Sequence, residues 1–349
     1  MRNIVTRLMI ITMLLVFVGG TAFAAGAKEQ ASSAGFDVVL LDASNDNTWR
    51  IQMEDQMQKV ADRYKENGWI NSYTVYSANN DANLQSQQLS QIANKGETDI
   101  VIINPVSASS LNPVIDRATS RGIRVFAVDS TIDHPDVITF TNDQRNYAKL
   151  HVEWLVDELN GEGNIFWFDA IPGVPANDDR VSVYEEVFAK YPKINVLAHD
   201  THSWSVAEAK QKTSQLLAAY SEDIDGILTQ ECSAGIIQAF VEAGRALPGA
   251  INSGESIEDM RIWGKYRFTS LMVENPPAVG AHGLMMAVRL LQGKELKNDV
   301  IENNIVNVKQ NLVIDNSMLD EWLEKTKDMK DTESIDSLMS DAQVDLLFK

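Results

Sequence analysis

Polar and aromatic side chains recur in this sequence close to the ends of short apolar runs. Nine of them are of types that contact polyhydroxylated small molecules: Asn47, Trp49, Asp129, Arg180, Trp204, Gln230, Glu231, Glu255 and Glu274. Carboxylates accept hydrogen bonds from vicinal hydroxyl groups, Arg and Asn donate to hydroxyl and ring oxygens, and indole rings cover C–H surfaces. The set therefore predicts a site for a ligand rich in hydroxyl groups.

Four of these side chains also have a purely structural interpretation. Trp49 and Trp204 could pack at the starts of helices, Arg180 could be a solvated helix residue, and Asp129 could cap the turn after its strand. We favour ligand contact for all four, because ligands of open parallel sheets bind where the strands end.

The apolar runs alternate with stretches of helical periodicity, and the alternation occurs twice along the chain. The predicted strands are 36–42, 72–77, 99–104 and 123–129 in the first half, and 164–169, 194–199, 225–229 and 268–273 in the second. Repeated β-α units imply parallel strands with helices on both faces. The fold class is therefore predicted to be α/β, with two doubly wound parallel-sheet lobes and a cleft between them.

The first 24 residues have the layout of a secretory signal peptide. A basic start precedes an apolar core over 8–18, and the small residues Ala22 and Ala24 follow. We predict cleavage after Ala24, a flexible leader over 25–35, and export to the periplasm.

Composition excludes several classes of function. The formal charge of −19 disfavours nucleic acid and anionic membrane surfaces as partners. Cys232 is the only cysteine, so a disulfide framework is excluded, and His199 with His202 lacks a third metal ligand. Hydrolase, zinc-protease, dinucleotide and P-loop motifs are absent from the sequence. We therefore predict no enzyme activity, no cofactor and no metal.

From residue 36 to about 310 the sequence resembles the ribose/galactose-type periplasmic binding proteins, which have the type I fold. Three stretches carry the resemblance together with single residues in the proposed site: Gly96–Pro105, Ala118–Val125 and Asn160–Ile165. The resemblance implies a solute-binding protein that captures a monosaccharide or related polyol between two lobes and delivers it to an ABC importer. An alternative is a sensor that presents a small polar or amine-bearing ligand to a membrane receptor.

The resemblance also implies roles for individual residues. Asn47 and Trp49 match the family's Asn and first stacking aromatic, and Asp129 matches its hydroxyl-accepting Asp. Arg180 matches the Arg that binds the ring oxygen, and Trp204 matches the aromatic of the second lobe.

Other positions depart from the family pattern. An Asn of the family falls at Gln230 or Glu231, its next Asp falls near Glu255, and its last Gln is Glu274. In addition, Arg50 replaces a second stacking aromatic. These changes predict a more acidic pocket, suited to a polyol, a deoxy or branched sugar, or a ligand with an amine.

The resemblance further implies that the chain crosses between the lobes three times, near 141/142, 274/275 and 308/309. The N-terminal lobe would comprise 36–141 plus 275–308, and the C-terminal lobe 142–274 plus 309–349. Three short crossovers form a hinge that a ligand can close. The expected partners are the ligand and a membrane permease, and a monomer is expected.

Overall fold

The computed structural model describes residues 35–310 and 312–349. The predicted signal peptide over 1–24 and the predicted leader, except for Gly35, lie outside the described residues. The strands are β1 (Phe36–Asp42), β2 (Ile70–Ser77), β3 (Ile100–Ile103), β4 (Arg124–Val128), β5 (Ile138–Asn142), β6 (Glu162–Asp169), β7 (Lys193–Thr201), β8 (Gly226–Thr229), β9 (Ala250–Ile251), β10 (Leu271–Val273), β11 (Ile305–Val308) and β12 (Val313–Asp315). The helices are α1 (Thr48–Glu66), α2 (Ala82–Lys95), α3 (Asn112–Ser120), α4 (Gln144–Glu158), α5 (Pro175–Phe188), α6 (Val206–Ala219), α7 (Ser233–Glu242), α8 (Ile257–Tyr266), α9 (Val279–Leu291), α10 (Leu319–Lys325) and α11 (Asp341–Asp345).

Six parallel strands form the sheet of the first lobe, in the order β11-β5-β4-β3-β1-β2. Successive side chains of a strand point to opposite faces, and β1 shows the consequence. Val38 and Leu40 pack with residues of α1 and α9, whereas Val39 and Leu41 pack with residues of α2 and α3. Both faces are covered, which explains why the strand is a continuous apolar run.

The second lobe is built around the parallel strands β7-β6-β8-β9. In β6, Phe166 and Phe168 pack with residues of α6, α7 and α8, while Ile165 and Trp167 pack with residues of α4 and α5. Beside this sheet, β10 and β12 form a separate antiparallel pair.

Four of the described strands, β5, β9, β11 and β12, were not predicted from the sequence, and β10 is shorter than expected. Sequence analysis missed β5, a short strand that pairs with both β4 and β11 and leads directly to the start of α4. The strand expected over 268–273 is regular only from Leu271, because Thr269 makes an isolated bridge to Ala250. Pairing with distant partners, rather than local pattern, decides the cases of β5 and β10.

The C-terminal segment departs from the boundary that assigned all of 309–349 to the second lobe. Leu319 and Ile335 lie in the core of the second lobe, as expected. Val344 and Phe348, however, lie in the core of the first lobe, against residues of α1 and α9. The chain thus returns to the first lobe after Ile335, which makes a fourth crossing between the lobes.

Arg289 gives the physical reason for this return. Its side chain is 1% exposed, and its Nε donates to Asp345 Oδ1 at 2.6 Å while Nη2 donates to Asp341 Oδ1 at 3.0 Å. A buried guanidinium must be paired, and α11 supplies the carboxylates.

In the ranges that the structure describes, we find no helix with the length and apolar character that a membrane crossing requires.

Candidate functional site

A cavity lies between the two lobes, near the carboxyl ends of their strands. About 650 Å³ of this region is free of protein atoms, a volume that includes open solvent. Six of the nine predicted residues line it: Asn47, Trp49, Asp129, Arg180, Trp204 and Glu231. Gln230, Glu255 and Glu274 do not line it. The cavity is also lined by residues that sequence analysis did not select, among them Asp259, Asn275 and Ser334.

Arg180 is buried at the cavity and is not a solvated surface residue. The side chain is 2% exposed, and its guanidinium lies 4.2 Å from the ring centroid of Tyr147. Its Nε donates to Gln144 Oε1 at 2.9 Å, and its Nη1 lies 3.4 Å from Glu231 Oε1. A cation desolvated over an aromatic ring and held by one short hydrogen bond is well placed to bind ligand oxygens.

Asp129 follows β4 and faces the cavity from the first lobe. Its carboxylate is almost buried and accepts one long hydrogen bond, from Gln144 Nε2 at 3.4 Å. Burial raises the pKa of Asp129, while the nearby Arg50 and Arg180 act in the opposite direction. Gln144 therefore links Asp129 to Arg180, a connection that sequence analysis missed. The available signal was its position in the first turn of the helix that precedes the strand predicted over 164–169.

The two tryptophans are held differently. Trp49 Nε1 donates to the carbonyl oxygen of Asn275 at 2.6 Å, which ties α1 to a chain crossing. Asn47, beside it, caps α1 by accepting a hydrogen bond from the Arg50 amide at 2.9 Å. Trp204 is fixed through its backbone, whose N–H donates to His202 Nδ1 at 3.2 Å.

A group of carboxyls lies on the second-lobe side of the cavity. Burial raises the pKa of Glu231 to about 7, and Arg180 opposes this shift. Asp259 is satisfied within the protein: it accepts hydrogen bonds from the Ser233 hydroxyl at 2.8 Å and the Ala234 amide at 2.6 Å.

Three predicted residues turn away from the cavity. Gln230 is fully buried and donates to Asn177 Oδ1 at 3.0 Å. Glu274 Oε1 accepts a hydrogen bond from the Leu312 amide at 3.0 Å, within the β10–β12 pair.

Glu255, the third of these residues, is buried behind the wall. Its side chain is 1% exposed, and neither carboxyl oxygen accepts a hydrogen bond from any residue that the structure describes. Burial and the neighbouring Glu231 raise the pKa of Glu255 well above its usual range. Arg180 acts on the pKa of Glu255 in the opposite direction.

Several residues that line the cavity have a strained, left-handed backbone conformation. Among the described residues, five of the eleven non-glycine residues with positive φ are asparagines in turns, which tolerate this region. At the cavity the left-handed positions are instead Asp129 (φ 64°), Trp204 (54°), Glu231 (74°) and Cys232 (60°). Such residues are costly outside glycine and asparagine and occur preferentially at ligand sites.

We find no metal-binding cluster in the part of the chain that the structure describes. The two histidines that could have formed a metal pair have other partners. His199 Nε2 lies 2.5 Å from Asp169 Oδ2, and buried His202 lies 2.9 Å from the hydroxyl of Thr229.

Comparison with known proteins agrees with this architecture. The sequence model of a family described as periplasmic binding protein domain matches residues 36–295. A xylitol-binding protein of Mycolicibacterium smegmatis is 31% identical over 229 residues, which are 64% of this chain and 65%, just under two thirds, of that protein. A ribose import binding protein of Escherichia coli is 21% identical over 79% of this chain and 92% of its own length.

Solved structures share the fold. An ABC transporter solute binding protein from Thermobispora bispora superposes with a TM-score of 0.81 at 23% identity, over 89% of this chain and 94% of that chain. A Bacillus halodurans solute binding protein with bound myo-inositol gives a TM-score of 0.72 at 19% identity, over 84% and 99% of the two chains. The predicted two-lobed α/β fold class is confirmed.

Proposed function

The chain belongs to the family of periplasmic binding proteins, and on that premise we propose that it captures a monosaccharide or polyol between its lobes and delivers it to an ABC importer. The family consists of binding proteins, so the function is binding for transport rather than catalysis. The family is periplasmic. Membership of the chain in this family confirms the resemblance to periplasmic binding proteins that the sequence shows.

One observation carries the proposal: complementary groups of both lobes face one cavity. Trp49 and Asp129 belong to the first lobe, and Arg180, Trp204 and Glu231 belong to the second. Hydroxyl groups donate to carboxylates and accept from a guanidinium, while the C–H faces of a sugar pack on indole rings. A ligand that contacts both walls favours the closed arrangement of the lobes and is thereby enclosed.

The balance of charge narrows the class of ligand. Carboxyls of Asp129, Glu231 and Asp259 outnumber the guanidiniums of Arg50 and Arg180 among the lining residues. A neutral polyol supplies a hydroxyl donor to each carboxyl, whereas a sugar acid or phosphorylated sugar adds a further acceptor beside them. Xylitol, ribose and myo-inositol, which relatives or structural neighbours bind, are neutral compounds of this kind. The carboxyl excess also supports one alternative, an amine-bearing ligand presented to a membrane receptor.

A thermal-shift screen of the mature chain tests the ligand class. Xylitol, D-ribose, D-xylose and myo-inositol form the neutral arm, the matching sugar acids form the anionic arm, and linear diamines form the cationic arm. A ligand at 100 times its Kd stabilises the folded state by about 2.7 kcal/mol, which is readily measured. Stabilisation by a neutral compound supports the proposal. Stabilisation by diamines alone supports an amine-bearing ligand, and stabilisation by sugar acids contradicts both ligand classes.

Transport is tested by uptake of the labelled hit into cells with and without the chain. Loss of uptake on deletion supports delivery to an importer, whereas unchanged uptake with a lost response to the ligand supports a sensor.

Location and assembly belong to the same proposal. We expect residues 1–24 to be removed on export, because their layout is that of a signal peptide. N-terminal sequencing of the periplasmic protein should find a start at Ala25 or within two residues of it. We also expect a monomer with no affinity for nucleic acid, given the charge of −19.

A further inference from the structure

The segment 331–339, which we call the strap, connects α10 to α11 and runs from the second lobe to the first. Its first half is attached to the second lobe beside the start of α8. The Ile257 amide donates to the carbonyl of Glu333 at 2.8 Å, and the Ile335 amide donates to the carbonyl of Glu255 at 3.1 Å. Ile335 itself is buried in the core of the second lobe.

Between these two attachments, Ser334 is bound by the first lobe as well. Its amide donates to Gln52 Oε1 at 2.8 Å, and its carbonyl accepts from Gln52 Nε2 at 3.1 Å. Gln52 lies in the first turns of α1, while Ser256, which forms a β-bridge with Ser334, precedes α8. One peptide of the strap is therefore held from both lobes at once, and Ser334 also lines the cavity.

The second half of the strap is attached to α9 of the first lobe. Asp336 Oδ1 accepts a hydrogen bond from the Ala278 amide at 3.1 Å, immediately before α9. The Met339 amide donates to the buried His282 Nε2 at 2.9 Å. The ion pairs of the buried Arg289 with Asp341 and Asp345 of α11 then fix the end of the chain to this lobe.

We propose that the strap is a fourth connection between the lobes, which forms one wall of the cavity and limits how far the lobes open. A rotation that separates α1 from the start of α8 must break both Gln52–Ser334 hydrogen bonds or pull the strap from the second lobe. An open form therefore loses the Gln52–Ser334 hydrogen bonds, which the described arrangement keeps. The strap thus shifts the equilibrium between open and closed lobes towards the closed form even without ligand.

A matched pair of substitutions on one helix tests this proposal. Gln52→Glu is isosteric, but it replaces the Nε2 donor with a carboxylate beside the Ser334 carbonyl and Asp336 Oδ2, which Gln52 Nε2 now contacts at 3.2 Å. Gln58→Glu is the control, because Gln58 Nε2 donates to Asp62 Oδ1 at 2.8 Å within α1 itself. Both changes place a new carboxylate beside an aspartate, and only the first acts on the strap.

Two ligand-free measurements read out the result, so they do not depend on the proposed sugar ligand. Amide hydrogen exchange at Ser334 should accelerate by about tenfold or more in Gln52→Glu, as expected when local opening becomes easier by about 1.4 kcal/mol. Exchange at Ile257, on the second-lobe attachment, should not change. Small-angle scattering should show a larger radius of gyration for this variant than for Gln58→Glu.

Equal exchange at Ser334 and equal radii in the two variants would overturn the proposal. If Gln52→Glu does not fold, Gln52→Met removes the same two hydrogen bonds without adding charge and is judged by the same criteria. Accelerated exchange at Ile257 together with Ser334 would also count against it, because the whole strap would then detach rather than restrain the lobes.

Discussion

The two walls of the cavity use the same residue types differently. On the first-lobe wall, Arg50 is 3% exposed and its Nη1 donates to the Ser44 hydroxyl at 2.5 Å and to Asn80 Oδ1 at 3.1 Å. On the second-lobe wall, Arg180 is equally buried but has one short hydrogen bond and a 3.4 Å contact with Glu231. Arg50 is committed to the protein, whereas Arg180 keeps capacity for a ligand.

The difference extends to the neighbours of these arginines. The Asn47 side chain accepts the hydrogen bond that caps α1, and Trp49 Nε1 donates to the Asn275 carbonyl at a chain crossing. Glu231 and Glu255 are instead carboxyls whose pKa values are raised by burial. Asp129 is the exception on the first-lobe wall, with one hydrogen bond at 3.4 Å. We therefore expect the first-lobe wall to act mainly as a scaffold and the second-lobe wall to make most of the polar contacts with a ligand.

The largest expected effect is the loss of affinity in Arg180→Met. Hydrogen bonds to charged groups contribute about 1.5–3 kcal/mol, so the Kd for the ligand found in the screen should rise by about 100-fold. Calorimetry measures this directly. Arg145→Met is the control, because Arg145 forms an exposed pair with Glu186 and should bind normally. Near-wild-type binding by Arg180→Met would remove Arg180 from the site.

The next effect is a loss of stability, rather than of affinity, in Arg50→Met. Removing the buried guanidinium leaves Ser44 and Asn80 without their charged donor, so the free energy of unfolding should fall by about 2–3 kcal/mol. Urea denaturation measures this, with Lys59→Met, an exposed change on the same helix, as control. If Arg50→Met weakens binding as much as Arg180→Met does and leaves stability unchanged, the assignment of Arg50 to a structural role is wrong.

Glu231→Gln should change how stability depends on pH. A carboxyl whose pKa is raised from 4.5 to about 7 binds its proton more tightly in the folded state. Its contribution to the free energy of unfolding therefore falls as pH rises between these values, by up to about 1.4 kcal/mol per pH unit.

Glu231→Gln should accordingly reduce this decline in denaturation curves recorded from pH 4.5 to pH 7.5. Glu162→Gln, at an exposed carboxyl paired with Lys193, should keep the wild-type slope. Identical slopes in both variants would show that the second-lobe wall is not strained by buried charge.

The smallest effects separate the two tryptophans. Stacking on an aromatic ring contributes about 0.5–1.5 kcal/mol, so Trp204→Ala should weaken binding by about tenfold with little loss of stability. Trp49→Phe keeps a ring but loses the hydrogen bond to Asn275, and should cost about 1 kcal/mol of unfolding free energy.

Trp322→Phe is the control for Trp49→Phe, because Trp322 Nε1 has no hydrogen-bond partner among the described residues. Calorimetry and urea denaturation on the three variants check both expectations. A Trp49→Phe variant as stable as Trp322→Phe would contradict the scaffold role of Trp49.

Local sequence pattern was enough for the fold class, and six of the fifteen residues that line the cavity were selected from the sequence. Short apolar runs such as 38–41 are typical of strands buried on both faces, and the helical periods between them favour parallel sheets. Because ligands bind at the carboxyl ends of such strands, Asp129, Arg180 and Glu231 could be selected without a structure.

Side-chain direction at those strand ends could not be read from the sequence. Gln230 and Glu231 are adjacent, yet one points into the lobe and the other lines the cavity, because Glu231 adopts a left-handed backbone conformation. Gln144 and Asn275 were missed for a related reason. They lie at chain crossings, where their roles depend on hydrogen bonds between residues more than 100 positions apart, such as that from Asn142 Nδ2 to Asn275 Oδ1 at 2.8 Å.

The sequence by itself determined two α/β lobes with a cleft between them, because these follow from periodicities within each segment. Only the tertiary structure decided that Ser334 lines the cavity and that Val344 and Phe348 return to the first lobe. A short amphipathic segment has an apolar face that either lobe could bury. Two residues of the first lobe determine where the C-terminal segment packs. Arg289 is a buried cation that pairs with the carboxylates of α11, and Gln52 binds the backbone of Ser334, 282 residues away in the chain.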